Sequence, residues 1–386
     1  LSFKQLFSRS LTAAPARLHM AAHSHHLWPD ASFDGQVECW TDAARLADAK
    51  WSKVMDEVWP EAQAHVAAEL GTGMAGAIVF ASNTHELLVR IVAAAKRRTG
   101  TVRVLTSDGE FHSARRQFDR WAEEQWFTLE TVPVEPFGDF TARFLETARI
   151  GAHDLVLVSQ ILFGSGRRFE CVDELAALAA PDGTWAVIDG YHAFMAIETP
   201  FRQSAARSAF YLGGGYKYAM AGEGCAFLHA PPGFGPRPPI TGWFAEFEDL
   251  SLPDGTVGYR QDGMRFMGAT FDASGLYRFN AVQRMLDANG LSTGRISAHV
   301  YDLQQRLLEA VEGTALAGAE LLNPPSDEPG ARFLAFRSPQ AGPWCAALAA
   351  RNCIVDVRGD VLRVGLGLYH DESDVDRFAA LAAELG

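Results

Sequence analysis

The chain has 386 residues, 48% of them hydrophobic and 21% charged, with a formal net charge of -13. That length supports two or three domains around a large core. The acidic balance repels phosphate backbones and excludes nucleic acid as a natural partner, and no run approaches the ~18 apolar residues of a membrane span.

Residues 1–17 mix polar and apolar side chains and lack the apolar centre of a signal peptide, and the reading is cytoplasmic. Leu18 to Pro29 carries four histidines: His19, His23, His25 and His26. They stand on an irregular segment with no carboxylate or cysteine cluster beside them. An extended stretch lining a pocket is the better expectation, and no metal is assigned. Helical spacing follows from about Gly35 to Lys53 and again from Pro60 to Leu70, where Gly71 stops the second helix. Ala77–Phe80 reads as a short buried strand. Ser82-Asn83-Thr84 then opens a helix with Leu87, Leu88, Ile91 and Val92 on one face. Such a helix start is either a plain cap or an anion site, because its first N–H groups are free and its dipole favours negative charge.

The next strands are expected at Val102–Thr106, Thr128–Pro133, Leu155–Ser159, Trp185–Asp189 and Ala209–Leu212. Helices are expected after Ser113, at Phe140–Ile150 and near Val172–Ala180. Strands and helices alternate between residues 77 and 230, and the strands are nearly all apolar. That pattern gives an α/β fold with a mostly parallel sheet covered by helices on both faces. Beyond Pro231 come loops containing Trp243 and Arg265–Thr270. Helices at 273–289 and 293–312 precede an α+β tail with strands at 332–336, 354–357 and 361–364 and helices at 343–351 and 372–385. The expected division is an N-terminal segment at 1–60, a large domain at 61–290 and a small C-terminal domain at 291–386.

Two residues carry chemistry. Asp189 ends an apolar strand, with His192 three residues on. Lys217 lies in Gly213-Gly214-Gly215-Tyr216-Lys217-Tyr218, among glycines and tyrosines instead of other charges. A lysine able to bond a carbonyl carbon and an acid able to pair with a pyridinium are what pyridoxal 5′-phosphate (PLP) requires. An acid at a strand end is usually a helix cap or turn residue and most lysines are solvated, so the pair taken alone is a weak signal. The five cysteines, at 39, 171, 225, 345 and 353, have no metal spacing and read as reduced structural thiols.

Over nearly its whole length the chain resembles fold-type I PLP enzymes of the class V aminotransferase superfamily, and within them kynureninase. Asp189-x-x-His192-Ala193 is similar to the kynureninase D-x-A-H-A segment, and Tyr216-Lys217-Tyr218 to its Y-K-Y. Asp108-Gly109-Glu110-Phe111 is similar to the loop whose Phe stacks on the cofactor ring. Ile354-Val355-Asp356-Val357-Arg358, Leu362-Arg363-Val364 and Leu368-Tyr369 resemble the C-terminal I-V-D-x-R, R-V and P-L-Y run.

The resemblance implies roles. Lys217 would bond PLP and move the Cα proton, Asp189 would hold the ring nitrogen, and His192 would stand beside it. Asn83, Thr84 and Tyr216 would bind the phosphate, Phe111 would stack on the ring, and Arg363 would bind the substrate carboxylate. Arg265–Thr270 is similar to an R-F-x-x-G-T loop in which Thr reaches the partner's phosphate, so Thr270 implies a homodimer with shared sites. The pattern also departs from kynureninase. Met267–Thr270 stands where that family has S-N-P-P, and His23-Ser24-His25-His26 where it has N-S-L-G. His23, Ser24 and Trp243 are therefore the expected readers of the substrate side chain. The implied reaction starts from a Cα carbanion of an amino acid. Cβ–Cγ hydrolysis is the first candidate, transamination, lyase or epimerase chemistry the alternative, and a non-catalytic binding protein the alternative of another class.

Overall fold

A computed structural model describes residues 2–95, 100–246, 253, 255–326 and 329–386. A short helix α1 (Ser8–Thr12) and strand β1 (Leu18–His19) come first. Helical chain then runs from α2 (Asp30–Leu46) through α3 (Lys50–Lys53) to α4 (Trp59–Leu70), joined by a 3-10 turn and a π-helical turn. The first long helix thus starts at Asp30, where Pro29-Asp30 is expected to open it, ahead of the apolar spacing from Gly35. Pro29, extended at φ -69 and ψ 159, leads into it.

The large sheet contains β2 (Ile78–Ala81), β3 (Val102–Ser107), β4 (Phe127–Val132), β5 (Leu155–Ser159), β6 (Trp185–Asp189), β7 (Ala209–Gly214) and β8 (Ala226–His229). Their order is β2-β8-β7-β6-β5-β3-β4. The pairs β7–β6, β6–β5, β5–β3 and β3–β4 are parallel, while β8 is antiparallel to both neighbours. Two antiparallel steps restore the direction of β2. Six strand ends, at Ala81, Ser107, Val132, Ser159, Asp189 and Gly214, therefore lie along one edge. Ligands of open α/β sheets bind outside that edge. The connecting helices are α5 (Thr84–Ala94), α6 (His112–Glu123), α7 (Phe140–Ile150), α8 (Val172–Ala176) and α9 (Gln203–Ala206). Helix α8 is shorter than its apolar spacing suggests, because Ala177–Ala180 leaves helical geometry for a turn closed by the Ala180 N–H to Thr184 O bond. Strand β8 had no expectation of its own, since Ala226–His229 follows the glycine turn without alternation.

Helix α10 (Ser274–Ala288) packs along α2 at close range. A Cβ at Gly35 would come within 2.6 Å of Tyr277 O, so only glycine lets the two backbones approach. Then come α11 (Thr293–Ala310), β9 (Glu320–Leu321), β10 (Phe333–Arg337), α12 (Ala341–Ala349), β11 (Cys353–Ile354), β12 (Asp356–Arg358), β13 (Val361–Gly365) and α13 (Glu372–Ala382). Strands β12-β13-β10-β9 make an antiparallel sheet. Leu303 and Leu307 of α11, Trp344 and Leu348 of α12 and Val375 and Phe378 of α13 bury against Leu334, Phe336, Leu362 and Val364. Leu18 and Met20 join this second core, and β1 pairs in parallel with β11. The start of the chain is thereby stitched to its end. Among the described residues no helix is long and apolar enough to cross a membrane.

Candidate active site

The site begins with α5. Its face of Leu87, Leu88, Ile91 and Val92 is buried against the sheet, which fixes the helix axis. Asn83 caps it by accepting a hydrogen bond from Glu86 N at 2.9 Å. The free N–H groups of the first turn thus face the sheet edge. Ser82, Asn83, Thr84 and His85 form one end of a cavity of about 360 Å³. Phe111, Asp189, His192, Tyr216 and Lys217 line the rest, with Ser159, Ile161, Phe163, Tyr191 and others. Seven residues expected from sequence to bind or process a cofactor therefore meet in one cavity.

Lys217 is buried, with its Nζ 2.6 Å from His192 Nε2. It also lies 5.1 Å from the ring centre of Tyr191 and 5.8 Å from those of Phe111 and Tyr216. Burial lowers the lysine well below its ordinary value; Asp189 pulls the other way, and Arg363 adds to the lowering. Burial likewise keeps His192 neutral, helped by the nearby charges of Lys217 and Arg363. A neutral imidazole with its proton on Nδ1, facing Tyr218 Oη at 3.5 Å, accepts at Nε2. The pair is thus set to pass a proton.

Asp189 accepts a hydrogen bond from Tyr191 N at 3.0 Å through Oδ1. Its Oδ2 has no protein partner among the described residues. Burial raises this carboxyl, and its bond to Tyr191 and the charge of Lys217 oppose the rise. A half-buried acid with one oxygen unclaimed is suited to a cationic N–H. Gly214 at the end of β7 makes room for the wall: a Cβ there would stand 2.4 Å from Tyr191 Oη. The Tyr191 and Tyr216 rings then pack at 4.9 Å.

The expected substrate residues are placed differently. None of Arg363, His23, Ser24, Trp243 or Thr270 lines this cavity. Arg363 is buried behind Phe163, its guanidinium 5.7 Å from that ring and bonded to Phe163 O and Asp356 Oδ2. Burial would raise Asp356, but His23, Arg363 and Arg358 outweigh it and bring the carboxyl down to about 2. His23 is buried, 3.7 Å from Asp356 and packed at 4.7 Å on Phe333; burial lowers its imidazole to about 3. Ser24 is half-buried in a turn closed on Ala21 O. Trp243 and Thr270 lie together on the surface, Nε1 to Oγ1 at 3.3 Å. His23 thus packs on the C-terminal sheet, while His25 stacks at 5.2 Å on the Tyr216 ring of the cavity wall. Among the described residues no group of three or more His, Cys, Asp or Glu could hold a metal.

Some site residues had no sequence expectation: Tyr191, Phe163, Ser159 and the acid Asp356. Tyr191 sits inside the Asp189–His192 motif and could have been read from it. Phe163 and Ser159 gain meaning only from the parallel register of β5 with β6. No cysteine lines the cavity; burial pushes the thiols of Cys225 and Cys353 up to about 12.

The Kynureninase C-terminal domain family model matches residues 296–381, which include Arg363. Isopenicillin N epimerase from Amycolatopsis lactamdurans is 27% identical over 315 residues, 73% of this chain and 73% of that protein. A C-DES variant solved with glycine covalently linked to its PLP cofactor superposes with a TM-score of 0.79 at 15% identity, covering 98% of this chain and 99% of that one. Cysteine desulfurase from Thermococcus onnurineus NA1 gives 0.77 at 19% identity, over 100% and 99% of the two chains. The fold is that of fold-type I PLP enzymes. The residues present fit the cofactor: a helix start for a phosphate, an unclaimed acid oxygen for the ring nitrogen, and a buried lysine in the same cavity.

Proposed function

We propose that the protein is a PLP-dependent enzyme of the class V kind, acting on an amino acid at Cα. The observation that carries this reading is the buried Lys217 amine in a cavity that also holds Asp189 and the α5 N-terminus. Lys217 would hold PLP covalently and Asp189 would hold the ring nitrogen. Asn83, Thr84 and Tyr216 would bind the phosphate, with Phe111 against the ring. When bound, PLP supplies an electron sink for negative charge at Cα.

The chain's own groups supply the rest. Arg363 would bind the substrate carboxylate, since a guanidinium fork fixes a carboxylate's orientation as well as its charge. Asp356 and Phe163 hold that fork in place. Lys217, lowered to about 7 by burial, takes the Cα proton in its neutral form, and His192 Nε2 is near enough to receive or return it. Phe111, Ile161 and Phe163 supply apolar wall to the cavity. We take 61–290 as the cofactor-binding unit and 291–386 as the unit that brings Arg363.

Kynureninase-like Cβ–Cγ hydrolysis is the first candidate reaction, supported by the family match across Arg363. Epimerisation is the second, supported by the isopenicillin N epimerase relative. Cysteine desulfuration is disfavoured for want of a cavity cysteine. Borohydride fixation of added PLP followed by peptide mapping tests the first level; a label elsewhere than Lys217 ends the reading. A panel of amino acids, with product identification and exchange of the Cα proton for deuterium, separates the reactions.

A homodimer completes the proposal. Phe33, Val37 and Trp40 form an exposed apolar stripe at helical spacing on α2, and Thr270 is exposed. Sedimentation of the wild type and of Trp40→Glu tests it; a fully active monomer would contradict it.

A further inference from the structure

Glu110 precedes Phe111 in the loop between β3 and α6, and its side chain is fully buried. Oε1 accepts from Ser159 N at 3.2 Å and lies 2.5 Å from Ser107 Oγ; Oε2 lies 2.5 Å from Ser159 Oγ. Ser107 ends β3 and Ser159 ends β5. Ser159 is also the residue paired with Asp189 across β5 and β6. One carboxyl therefore ties together two strand ends, one of them beside the end of the Asp189 strand, and the loop that carries Phe111.

Its partners are two hydroxyls and one amide, with no cation among them. An ionised carboxyl so enclosed is costly without a counter-charge. The charged group that faces it, Asp189 on β6, has the same sign. Burial, opposed by the two serines and reinforced by Asp189, pushes the Glu110 carboxyl up to about 7. All three bonds run toward Glu110, and because a hydroxyl both donates and accepts, the Ser159 bond reverses when the acid is neutral, with Oε2–H donating to Ser159 Oγ. The Ser159 hydroxyl proton is then available to an acceptor in the cavity, which Ser159 lines.

We infer that Glu110 is a positioning residue held as a neutral carboxylic acid, which sets Ser159, Asp189 and Phe111 without placing a second negative charge beside Asp189. This rests on the PLP reading for its consequence, though not for the protonation itself. Glutamine reproduces the neutral acid's pattern, one donor at Nε2 and acceptance at Oε1. Alanine removes the tie, and aspartate shortens its reach.

Two measurements separate the possibilities. Infrared spectra of the cofactor-free protein at about pH 6 should contain a protonated-carboxyl band that Glu110→Gln removes. With PLP bound, the pH midpoint of the cofactor absorbance should be the same in wild type and Glu110→Gln, while Glu110→Ala should lose PLP about tenfold faster. Absence of the band, or a midpoint lower in Glu110→Gln by more than about half a pH unit, overturns the inference, because it would mean that a negative charge had been removed. Failure of the wild type to bind PLP at all would sink the functional reading instead, and the infrared result would still decide the state of Glu110.

Discussion

Lys217 Nζ and His192 Nε2 stand 2.6 Å apart, both side chains buried, one from the turn after β7 and the other from the loop after β6. Neither group has an ordinary titration there. Burial is the first cause in each case, and it favours the neutral form of both. Lys217, lowered to about 7, stays the stronger base of the two, so a proton shared across this contact rests on the lysine and the neutral imidazole accepts at Nε2.

Capture of PLP by the cofactor-free protein should reflect this. The reactive form of Lys217 is the neutral amine, present above its folded pKa. Because that pKa is lowered, capture should remain fast at neutral pH and slow only in more acidic solution. Stopped-flow absorbance across pH, read against free lysine, measures it. A rate that falls away already below about pH 10 would mean an ordinary, solvated lysine.

His192→Phe should leave PLP fixation at Lys217 intact and slow turnover by about 10²-fold, the usual scale for loss of a proton-transfer partner. Exchange of the substrate Cα proton should slow in step. Unchanged exchange would reduce His192 to a packing role against Tyr218 and Phe333.

Asp189→Asn should still bind PLP, because the α5 N-terminus and Lys217 are untouched. Turnover should nevertheless fall by about 10²-fold or more, since an amide does not hold the ring nitrogen as a cation. Steady-state kinetics beside PLP titration checks the split; near-normal turnover removes Asp189 from the role.

Arg363→Lys should weaken every amino-acid substrate whatever its side chain, because lysine keeps the charge and loses the fork. An unchanged KM for all substrates would leave Arg363 with its ion pair alone.

Asp356 gives a signed stability test. Its folded pKa, about 2, lies below the unfolded value, so the ion pair with Arg363 contributes fully above the ordinary carboxylate range. The contribution is lost as pH falls through about 2. Asp356→Asn should therefore cost about 1–3 kcal/mol at neutral pH and progressively less in acid. Urea unfolding of both proteins between neutral and acid pH measures it; a cost independent of pH would point to packing instead of charge.

Much of this protein is legible in its residues. The apolar runs at 155–159 and 185–189 could bury themselves only in a covered parallel sheet, and β5 and β6 have those bounds. Asp189 and Lys217 by themselves were a weak signal, and it was the surrounding glycines and tyrosines, the helix start at Ser82-Asn83-Thr84 and the resemblance of the motifs that pointed to cofactor chemistry. Local pattern suffices for the strands: period and turn chemistry act over a few residues, and the strand ends then fall on one edge by topology.

Only the tertiary structure decided what those strand ends bring together. Glu110 reaches Ser159 across 49 positions of sequence, and Arg363 bonds the carbonyl of Phe163 across 200. No local spacing encodes either contact, because each depends on strand order and on the docking of β13 behind the cavity wall. His23 is the plainest case. It carries no sign in the sequence of its partner Asp356, and it leaves the main cavity because β1 pairs with β11 and draws it onto the C-terminal sheet. Backbone pairing between the two ends of the chain, a long-range hydrogen-bond choice, fixed where that side chain could act.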